Sequence, residues 1–285
     1  MPKVLSEGQV VSYRANGYLA PLDALTPEEV VRHRAALERS EAHLGGSLMD
    51  VDRKYRGNLH HLCTWLDELV RHPAILGPVE DLIGPDILLF TSRFFIKEAM
   101  SEGIAAWHQD STYFGLRPFD HVTAWVALSD VPREAGPLEF AVGSHIPGQL
   151  RQKSNMVKNS VNTAGQIIVD WFDQSRIDMA VLAPGQFSLH HTCVVHQSGP
   201  NRSKGRRVGV ALSYIPTRTR HVGSFRMPAT LVRGTDRFGH FDLLPRPAQD
   251  FGPPETARHD ASFKAYVDSF YEQLGIAERD LPDAA

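Results

Sequence analysis

Cysteine is scarce in this chain, which has only Cys63 and Cys193 among its 285 residues. Their wide separation matches neither the cysteine pattern of a disulfide-stapled secreted domain nor a zinc-binding spacing, so both of those classes are excluded. We expect two buried free thiols, which is the state typical of proteins in the reducing cytoplasm.

Long apolar runs and a strong charge imbalance are missing as well. No run approaches the roughly 18 apolar residues that a membrane-spanning helix needs, and residues 1–7 lack the apolar segment of a signal peptide. The formal net charge is −3 and the pI is about 6.5, which favours neither nucleic acid nor an anionic membrane as a partner. We therefore expect a cytoplasmic protein with a small-molecule substrate. The sequence carries no signal for a particular oligomeric state.

Helical patterns occupy the first third of the chain. Capping signals predict one helix that starts at Ser6 and another that starts at Thr26, where proline and two acidic residues follow. Apolar residues keep helical spacing over 59–70, and a further short helix is predicted over 73–84. Residues 1–85 are thus predicted to form a helical layer.

The pattern changes from helical to strand-like after residue 85. Short segments rich in β-branched and aromatic residues are separated by turn residues, without helices between them, which favours an antiparallel sandwich or barrel. The predicted strands cover 87–97, 122–128, 137–140, 185–189 and 207–215.

The absence of repeats and of low-complexity linkers predicts a single domain over 1–285, mostly β with flanking α-helices. Its core is expected over 86–216. The remaining stretch, 217–285, is expected to supply a lid or surface loop, with a Pro-rich loop at 245–254, a last helix at 261–274 and a frayed end.

The motif Trp107-His108-Gln109-Asp110 offers two metal ligands. On an extended strand, the side chains of His108 and Asp110 would project to the same face. With one more histidine they would form the two-histidine, one-carboxylate set of non-haem Fe(II) oxygenases. A lone His-x-Asp pair is common by chance, and its ordinary interpretation is a polar pair at a strand end.

Three residues are candidates for the distal histidine, namely His190, His191 and His196. If this region stays extended, His190 and His196 share one face and His191 lies on the other. Spacing alone therefore leaves the choice between His190 and His196 open.

Arg207 opens a strand on which Gly209, Ala211 and Ser213 share its face. These small residues leave volume beside a guanidinium that can pair with a carboxylate through two parallel hydrogen bonds. The alternative is a solvent-facing strand with a surface arginine, which explains the small residues less well. The combination predicts oxygen chemistry with a 2-oxo acid as cosubstrate.

These residues resemble the phytanoyl-CoA dioxygenase family of Fe(II)/2-oxoglutarate oxygenases over roughly 87–216. The motifs that carry the resemblance are, in chain order, Trp107-His108-Gln109-Asp110 with Tyr113-Phe114, Thr123-Ala124-Trp125-Val126-Ala127-Leu128, Gly136-Pro137-Leu138, Gly143-Ser144-His145, and His196-Gln197-Ser198-Gly199-Pro200-Asn201 followed by Arg206-Arg207. Each motif is modest alone, and their ordered set is specific.

The resemblance implies a double-stranded β-helix, also called a jelly roll, with flanking helices. It implies that His108, Asp110 and His196 bind Fe(II), and that 2-oxoglutarate and O2 occupy the remaining positions. It also assigns three residues to the 2-oxoglutarate pocket: Arg207, Ser198 at the same carboxylate, and Trp125 in the wall.

The implied reaction is hydroxylation or desaturation of an unactivated C–H bond in a small metabolite or natural-product intermediate, with succinate and CO2 as products. Related halogenases have Ala or Gly at the position of Asp110, so the carboxylate argues against halogen transfer. The coenzyme A thioester of the family name is not carried over to this chain.

Aromatic residues near the motif are candidates for the substrate wall, although core packing explains each of them singly. The candidates are Phe95, Trp107, Tyr113, Phe114 and His190. Two other functions remain open: a non-catalytic jelly-roll protein that binds a metal or small molecule, and a Zn- or Mn-dependent hydrolase or isomerase on the same barrel.

Overall fold

A computed structural model of the chain describes residues 2–154, 159–160 and 166–274. The predicted frayed end at 281–285 lies outside these residues. The helices are α1 (Glu7–Asn16), α2 (Pro27–Leu44), α3 (Thr64–Leu69), α4 (Pro73–Ile83), α5 (Ser111–Phe114) and α6 (Pro253–Leu274).

Fifteen strands are found in the described residues. They are β1 (Tyr18–Asp23), β2 (Ile87–Lys97), β3 (Ala105–His108), β4 (Leu116–Arg117), β5 (Val122–Ala127), β6 (Leu138–Ala141), β7 (Gln152–Ser154), β8 (Gln166–Ile168), β9 (Ile177–Ala180), β10 (Gln186–His191), β11 (His196–Ser198), β12 (Arg207–Pro216), β13 (Arg220–His221), β14 (Pro228–Arg233) and β15 (Asp242–Leu243).

Two sheets form the predicted jelly roll. The large sheet has the order β1-β10-β5-β12-β2-β14-β15, and the small sheet has the order β3-β11-β6-β9. Trp125 and Ala127 of the large sheet pack against Leu138 and Phe140 of the small sheet, so an apolar layer lies between them. The strand pairs are antiparallel apart from β14 with β15.

The N-terminal helices cover the outer face of the large sheet. Leu37 of α2 and Leu66 of α3 are fully buried in one cluster with Phe187, Val210 and Tyr214 of the sheet. Burial of each such side chain contributes roughly 1.5–3 kcal/mol. The sheet that carries the site is thus held between a helical layer and the small sheet.

Capping signals locate the first two helices correctly. Ser6 accepts from the backbone N–H of Gln9 and caps α1, which ends at the left-handed Gly17. Thr26 accepts from the backbone N–H of Glu29 and begins α2. In both helices the third helical residue also bonds back to the cap, as in a capping box.

The predicted helix over 59–70 is interrupted in the structure. A 3-10 turn covers Leu59–His61, Cys63 is extended, and α3 follows. Asp250 accepts from the backbone N–H of Thr64 at 2.7 Å, so a distant loop satisfies the first turn of α3. Tertiary hydrogen bonds therefore override the helical periodicity of the segment.

Strand β1 departs from the all-helical expectation for 1–85. It is the edge strand beside β10, with an irregular register between Leu19 and Leu22. Pro21 lies at that irregularity, where a missing N–H is tolerated at a sheet edge. A six-residue edge strand that contains proline carries little alternating signal, which is why it was not predicted.

The C-terminal region also differs from the expected lid or surface loop over 217–285. Strand β14 pairs with β2 and extends the large sheet, and α6 begins at Pro253, eight residues before the predicted 261. Ala229 and Phe270 pack in one cluster with Phe90 and Phe114. This region is therefore part of the core rather than a surface appendage.

Both cysteines are buried free thiols, as predicted. Burial raises the pKa of Cys63 to about 12 and that of Cys193 to about 11, so both stay protonated and unreactive near neutral pH. The described helices include none with the length and apolar character needed to cross a bilayer.

Buried histidines should make the metal-free protein less stable in acid. His33 is 1% exposed, and burial, helped by the charge of Arg32, lowers its pKa to about 4. In the unfolded chain the imidazole of His33 is protonated near pH 6.5, whereas in the folded chain it stays neutral down to about pH 4. The free energy of unfolding should therefore fall by about 1.4 kcal/mol for each pH unit as the pH is lowered from 6.5 to 4. His33→Leu should reduce the slope measured by urea denaturation from pH 7 to pH 4.5.

The matched control is His43→Leu, since His43 lies exposed on the same helix. An unchanged slope in His33→Leu, or an equal reduction in both variants, would contradict the assignment.

Candidate metal centre

Three predicted ligands lie together at one edge of the small sheet. His196 on β11 is the direct cross-strand partner of His108 on β3. Oδ1 of Asp110 lies 3.7 Å from Nε2 of His108 and 3.8 Å from Nε2 of His196. One donor atom from each residue lies within 4.8 Å of the others, which is close enough for all three to share one ion.

The backbone between His108 and Asp110 differs from the expected extended strand. Strand β3 ends at His108, and Asp110, which has helical dihedral angles, immediately precedes α5. The fully buried Gln109 holds this corner, since its amide donates to the carbonyl oxygen of Cys193 at 2.6 Å and accepts from the N–H of Leu150 at 2.7 Å. The two ligands converge through a turn and not through strand alternation.

Backbone carbonyls orient both imidazoles. Nδ1 of His108 lies 2.8 Å from the oxygen of Ala106, and Nδ1 of His196 lies 3.0 Å from the oxygen of Val194. Each Nδ1 therefore carries the proton and donates it, which leaves the Nε2 lone pair directed at the shared point. Burial, together with the charge of His108, lowers the pKa of His196 to about 3, so this ring is a neutral donor at physiological pH.

The second oxygen of Asp110 is fixed by its neighbours. Thr123 donates to Oδ2 at 3.1 Å, and Nε2 of His190 lies 3.5 Å from the same atom. Burial opposes ionisation of Asp110, but its hydrogen bond with His190 and the charges of the neighbouring histidines together outweigh that opposition, so the net effect is a lowered pKa. His190 thus lies beside Oδ2 of Asp110, whereas His196 lies beside Oδ1.

Arg207 lines the same cavity as the three metal-ligand candidates. Its guanidinium donates to Ser198 Oγ at 2.9 Å and to the carbonyl oxygen of Gly136, and it lies 5.3 Å from the centre of the Trp125 ring. Burial lowers the pKa of Arg207 to about 9, so it remains charged at neutral pH. The sequence-predicted trio of Arg207, Ser198 and Trp125 is brought together.

The small residues on the Arg207 face have different uses. A Cβ on Gly209 would lie 1.9 Å from Cζ2 of Trp125, so the indole fills the space that this glycine leaves. Ala211 lines the cavity instead. The expected free volume beside Arg207 therefore exists at Ala211 and not at Gly209.

Lys97 is a buried cation that the sequence patterns did not reveal. It is the cross-strand partner of Arg207 and is 2% exposed. It donates to Ser198 Oγ at 2.7 Å and to the carbonyl oxygen of Gly199. Burial, followed by the charge of Arg207, lowers the pKa of Lys97 to about 6. A lysine that ends the apolar strand 87–97 is the signal that could have found it.

The two basic side chains have no acidic partner in the described part of the chain, because none of its ion pairs includes Arg207 or Lys97. Buried charge without a counter-charge is costly. An anion bound beside Arg207 would remove that cost, so the arrangement favours an anionic ligand.

The cavity has two connected parts, which we call the inner lobe and the outer lobe. The inner lobe is lined by the metal ligands and Arg207. The outer lobe is lined by α6 as well as by the sheet. Four residues line both lobes: Phe95, Asp110, Thr123 and Ala211.

The expected substrate wall is only partly found in this cavity. Phe95 lines both lobes and Phe114 lines the outer one, whereas His190 lines the inner one. Trp107 packs on Phe172 at 5.6 Å between ring centres and lines neither lobe. Its side chain lies on the opposite face of β3 from His108.

Tyr113 is likewise outside both lobes, because it stacks on Phe270 of α6 at 5.0 Å. Instead, the outer lobe is completed by residues that no motif indicated. They are Gly57, Asn58, Thr91, Arg93, Phe263 and Tyr266. Phe263 and Tyr266 come from α6, and no sequence motif linked that distant helix to the metal ligands.

Comparison with known proteins shows that the chain matches one protein family. The family model described as Phytanoyl-CoA dioxygenase (PhyH) matches residues 13–209. A probable phytanoyl-CoA dioxygenase of Caenorhabditis elegans is 28% identical over 156 residues, which are 52% of this chain and 50% of the relative. The matched segment thus spans about half the length of that relative.

Two further proteins are similar over more of the chain. An L-proline trans-4-hydroxylase of Streptomyces griseoviridis is 24% identical over 232 residues, 72% of this chain and 84% of the relative. The solved structure of the non-heme monooxygenase ThoJ in its apo form superposes with a TM-score of 0.82 at 31% identity, covering 94% of this chain and 99% of ThoJ. Since the family model matches more than half of the chain, the protein belongs to the phytanoyl-CoA dioxygenase family.

Proposed function

We propose that this protein is an Fe(II)- and 2-oxoglutarate-dependent dioxygenase that hydroxylates or desaturates an unactivated C–H bond of a small metabolite or natural-product intermediate. One observation carries the proposal: the inner lobe has His108, Asp110 and His196 at one end and Arg207 at the other.

The donor set fits a mononuclear iron. Two neutral imidazoles and one ionised carboxylate are the ligands of non-haem Fe(II) oxygenases. A structural zinc site would use four protein donors in a closed tetrahedron, whereas three donors are grouped in the described residues. His108, Asp110 and His196 would hold the ion and leave positions open on the cavity side.

The other end of the lobe fits the distal carboxylate of 2-oxoglutarate. Arg207 would bind that carboxylate, whose negative charge would in turn favour protonation of Lys97 behind Ser198. When bound, Fe(II) supplies the O2 activation that couples decarboxylation of 2-oxoglutarate, to succinate and CO2, with oxidation of the substrate.

The remaining residues position and shield these groups. Thr123 donates to Oδ2 of Asp110, so that Oδ1 faces the metal position. Phe95, Trp125 and Leu138 line the lobe with apolar surface, which limits the entry of water. Asp110 would take the coordination position that a halide would need, so the proposed outcome is oxygenation or desaturation. The names hydroxylase and monooxygenase among the similar proteins support that outcome.

Addition of Fe(II) and 2-oxoglutarate without oxygen should produce a visible metal-to-ligand charge-transfer band. Exposure to O2 should then convert 2-oxoglutarate to succinate, slowly without substrate and faster with it. The measurements are anaerobic absorbance followed by succinate quantification. A band without any succinate would favour a binding protein, and turnover that persists without O2 or with Zn(II) would favour a hydrolase or isomerase.

Loss of a ligand should remove metal-dependent stabilisation. Mn(II), which takes the same nitrogen and oxygen donors without oxidation, should raise the melting temperature of the wild type by mass action. His196→Ala and Asp110→Ala should lose most of this rise. Gln197→Ala is the matched control, because Gln197 adjoins His196 and bonds instead to Glu139. An undiminished rise in both ligand variants would refute the ligand set.

Removal of the Arg207 side chain should specifically weaken the binding of 2-oxoglutarate. A hydrogen bond to a charged group is worth about 1.5–3 kcal/mol, so Arg207→Ala should raise the 2-oxoglutarate dissociation constant by at least about tenfold. Titration of the charge-transfer band measures this constant, with Mn(II) affinity expected to stay unchanged. Arg202→Ala is the control, since Arg202 is a largely exposed arginine on the preceding turn. Equal dissociation constants in all three proteins would exclude Arg207 from the cosubstrate site.

A further inference from the structure

A row of three hydroxyl groups crosses the large sheet beneath the outer lobe. Thr91, Ser213 and Thr123 lie on the adjacent strands β2, β12 and β5, and Ser213 is the direct cross-strand partner of both others. All three line the outer lobe, and none is more than 7% exposed. Since Thr123 also bonds to Asp110, this hydroxyl row begins at a metal-ligand candidate and runs outward across the lobe.

The ionised carboxylate of Asp110 sets the direction of the first two hydrogen bonds in the row. A hydroxyl has one proton to donate, and a carboxylate is a stronger acceptor than another hydroxyl. Thr123 therefore gives its proton to Oδ2 of Asp110, at 3.1 Å. In the contact of 3.2 Å between the hydroxyl oxygens of Thr123 and Ser213, Ser213 is then the donor. Both protons are used within the protein.

The hydroxyl proton of Thr91 is used in the same way. Thr91 donates to Oδ1 of Asn58 at 2.8 Å, and the same oxygen accepts from the backbone N–H of Ser92 at 3.1 Å. The amide nitrogen of Asn58 donates to Ser262 at 3.3 Å. Two donors at its oxygen and an acceptor at its nitrogen fix the orientation of this amide.

The hydroxyl row consequently offers only oxygen lone pairs to the outer lobe. Among the described residues, the hydrogen bonds of Ser213 and Thr91 are those in which each hydroxyl donates. A hydroxyl oxygen has two lone pairs with which it can accept. A group that satisfies these buried oxygens from the lobe must therefore carry a proton that it can donate.

Donor side chains of the outer lobe lie at its other end. Tyr266 and Arg93 line the outer lobe and also a third cavity, which includes the exposed Arg53 and lies further out. The hydroxyl row does not line this third cavity. The part of the outer lobe beside Asp110 is accordingly the part that accepts hydrogen bonds.

We propose that the substrate carries a hydrogen-bond donor, namely a hydroxyl or an amide N–H, which binds to Ser213 and Thr91. Its apolar portion lies against Phe114 and Phe263, which line the outer lobe from α5 and α6. The inference rests on the proposed oxygenase function and names its substrate class. A ligand with acceptors alone would leave the buried oxygens of the row without a donor, and a site built to bond a hydroxyl or N–H rejects such analogues strongly.

The test compares small probes that share a skeleton and differ in a hydrogen-bond donor. The first pair is benzylacetone and the secondary alcohol formed by its reduction, and the second is methyl hydrocinnamate and hydrocinnamamide. Binding is measured by paramagnetic relaxation of the probe protons in protein loaded with Mn(II) and 2-oxoglutarate, with the Zn(II)-loaded protein as the diamagnetic reference. This readout requires proximity to the metal and no turnover.

The wild type should bind the alcohol and the amide at least about tenfold more tightly than the ketone and the ester. Ser213→Ala should reduce that ratio to below about threefold by weakening the donor probes alone, because a methyl group cannot accept a hydrogen bond. Thr91→Val, which keeps the shape of the side chain, should reduce the ratio severalfold. Both variants should keep the 2-oxoglutarate dissociation constant of the wild type.

The matched control is Ser188→Ala. Ser188 is a fully buried serine of the same sheet that lines neither lobe, so this variant should keep the full ratio. A change in packing alone would weaken both members of a probe pair and leave their ratio as it is in the wild type.

Three results would overturn the proposal. They are failure of all the probes to bind at millimolar concentrations, equal affinities within both pairs in the wild type, and an undiminished ratio in both Ser213→Ala and Thr91→Val. A missing charge-transfer band with Fe(II) and 2-oxoglutarate would instead refute the oxygenase function itself.

Discussion

Burial of two basic side chains beside the metal ligands is the constraint around which this fold is arranged. Arg207 and Lys97 are neighbours on paired strands, and both are almost inaccessible to solvent. Carbonyl oxygens of turns, chiefly those of Gly136 and Gly199, take the place of carboxylate partners. Gly136 is left-handed, and a Cβ there would lie 2.2 Å from the oxygen of Gly199. The turns must therefore pack this closely to keep both basic side chains in place.

The opposite end of the inner lobe is organised by backbone rather than by charge. Carbonyl oxygens select the tautomer of each histidine, and the buried amide of Gln109 fixes the corner that turns Asp110 toward them. Burial keeps His196 neutral, so protons do not compete with a metal for it near neutral pH. The donor positions are thus preorganised by contacts that do not involve the metal, which reduces the cost of ordering them on binding.

Local spacing predicted the grouping of the metal-ligand candidates better than it predicted the bounds of several helices and strands. His108, Asp110 and Arg207 lie in short motifs that can be recognised in the sequence alone. These residues of the inner lobe could therefore be predicted from the sequence and its family resemblance. Lys97 and Arg93 belong to no such motif, because pairing with a strand that is distant in sequence brings them to the cavity. Strand β1 escaped prediction because its pairing, and not its composition, makes it a strand. The wall residue Tyr266 is distant from every motif in sequence.

The residues that line the cavity come from two separate parts of the sequence, and α6 is the second of these parts. The match to the family model ends at residue 209, whereas α6 spans Pro253–Leu274 and contributes Phe263 and Tyr266 to the outer lobe. Under the proposed function, substitutions in this helix would change the outer wall of the cavity and leave the metal ligands untouched. The shape of the cavity could therefore be altered separately from the residues that bind the metal.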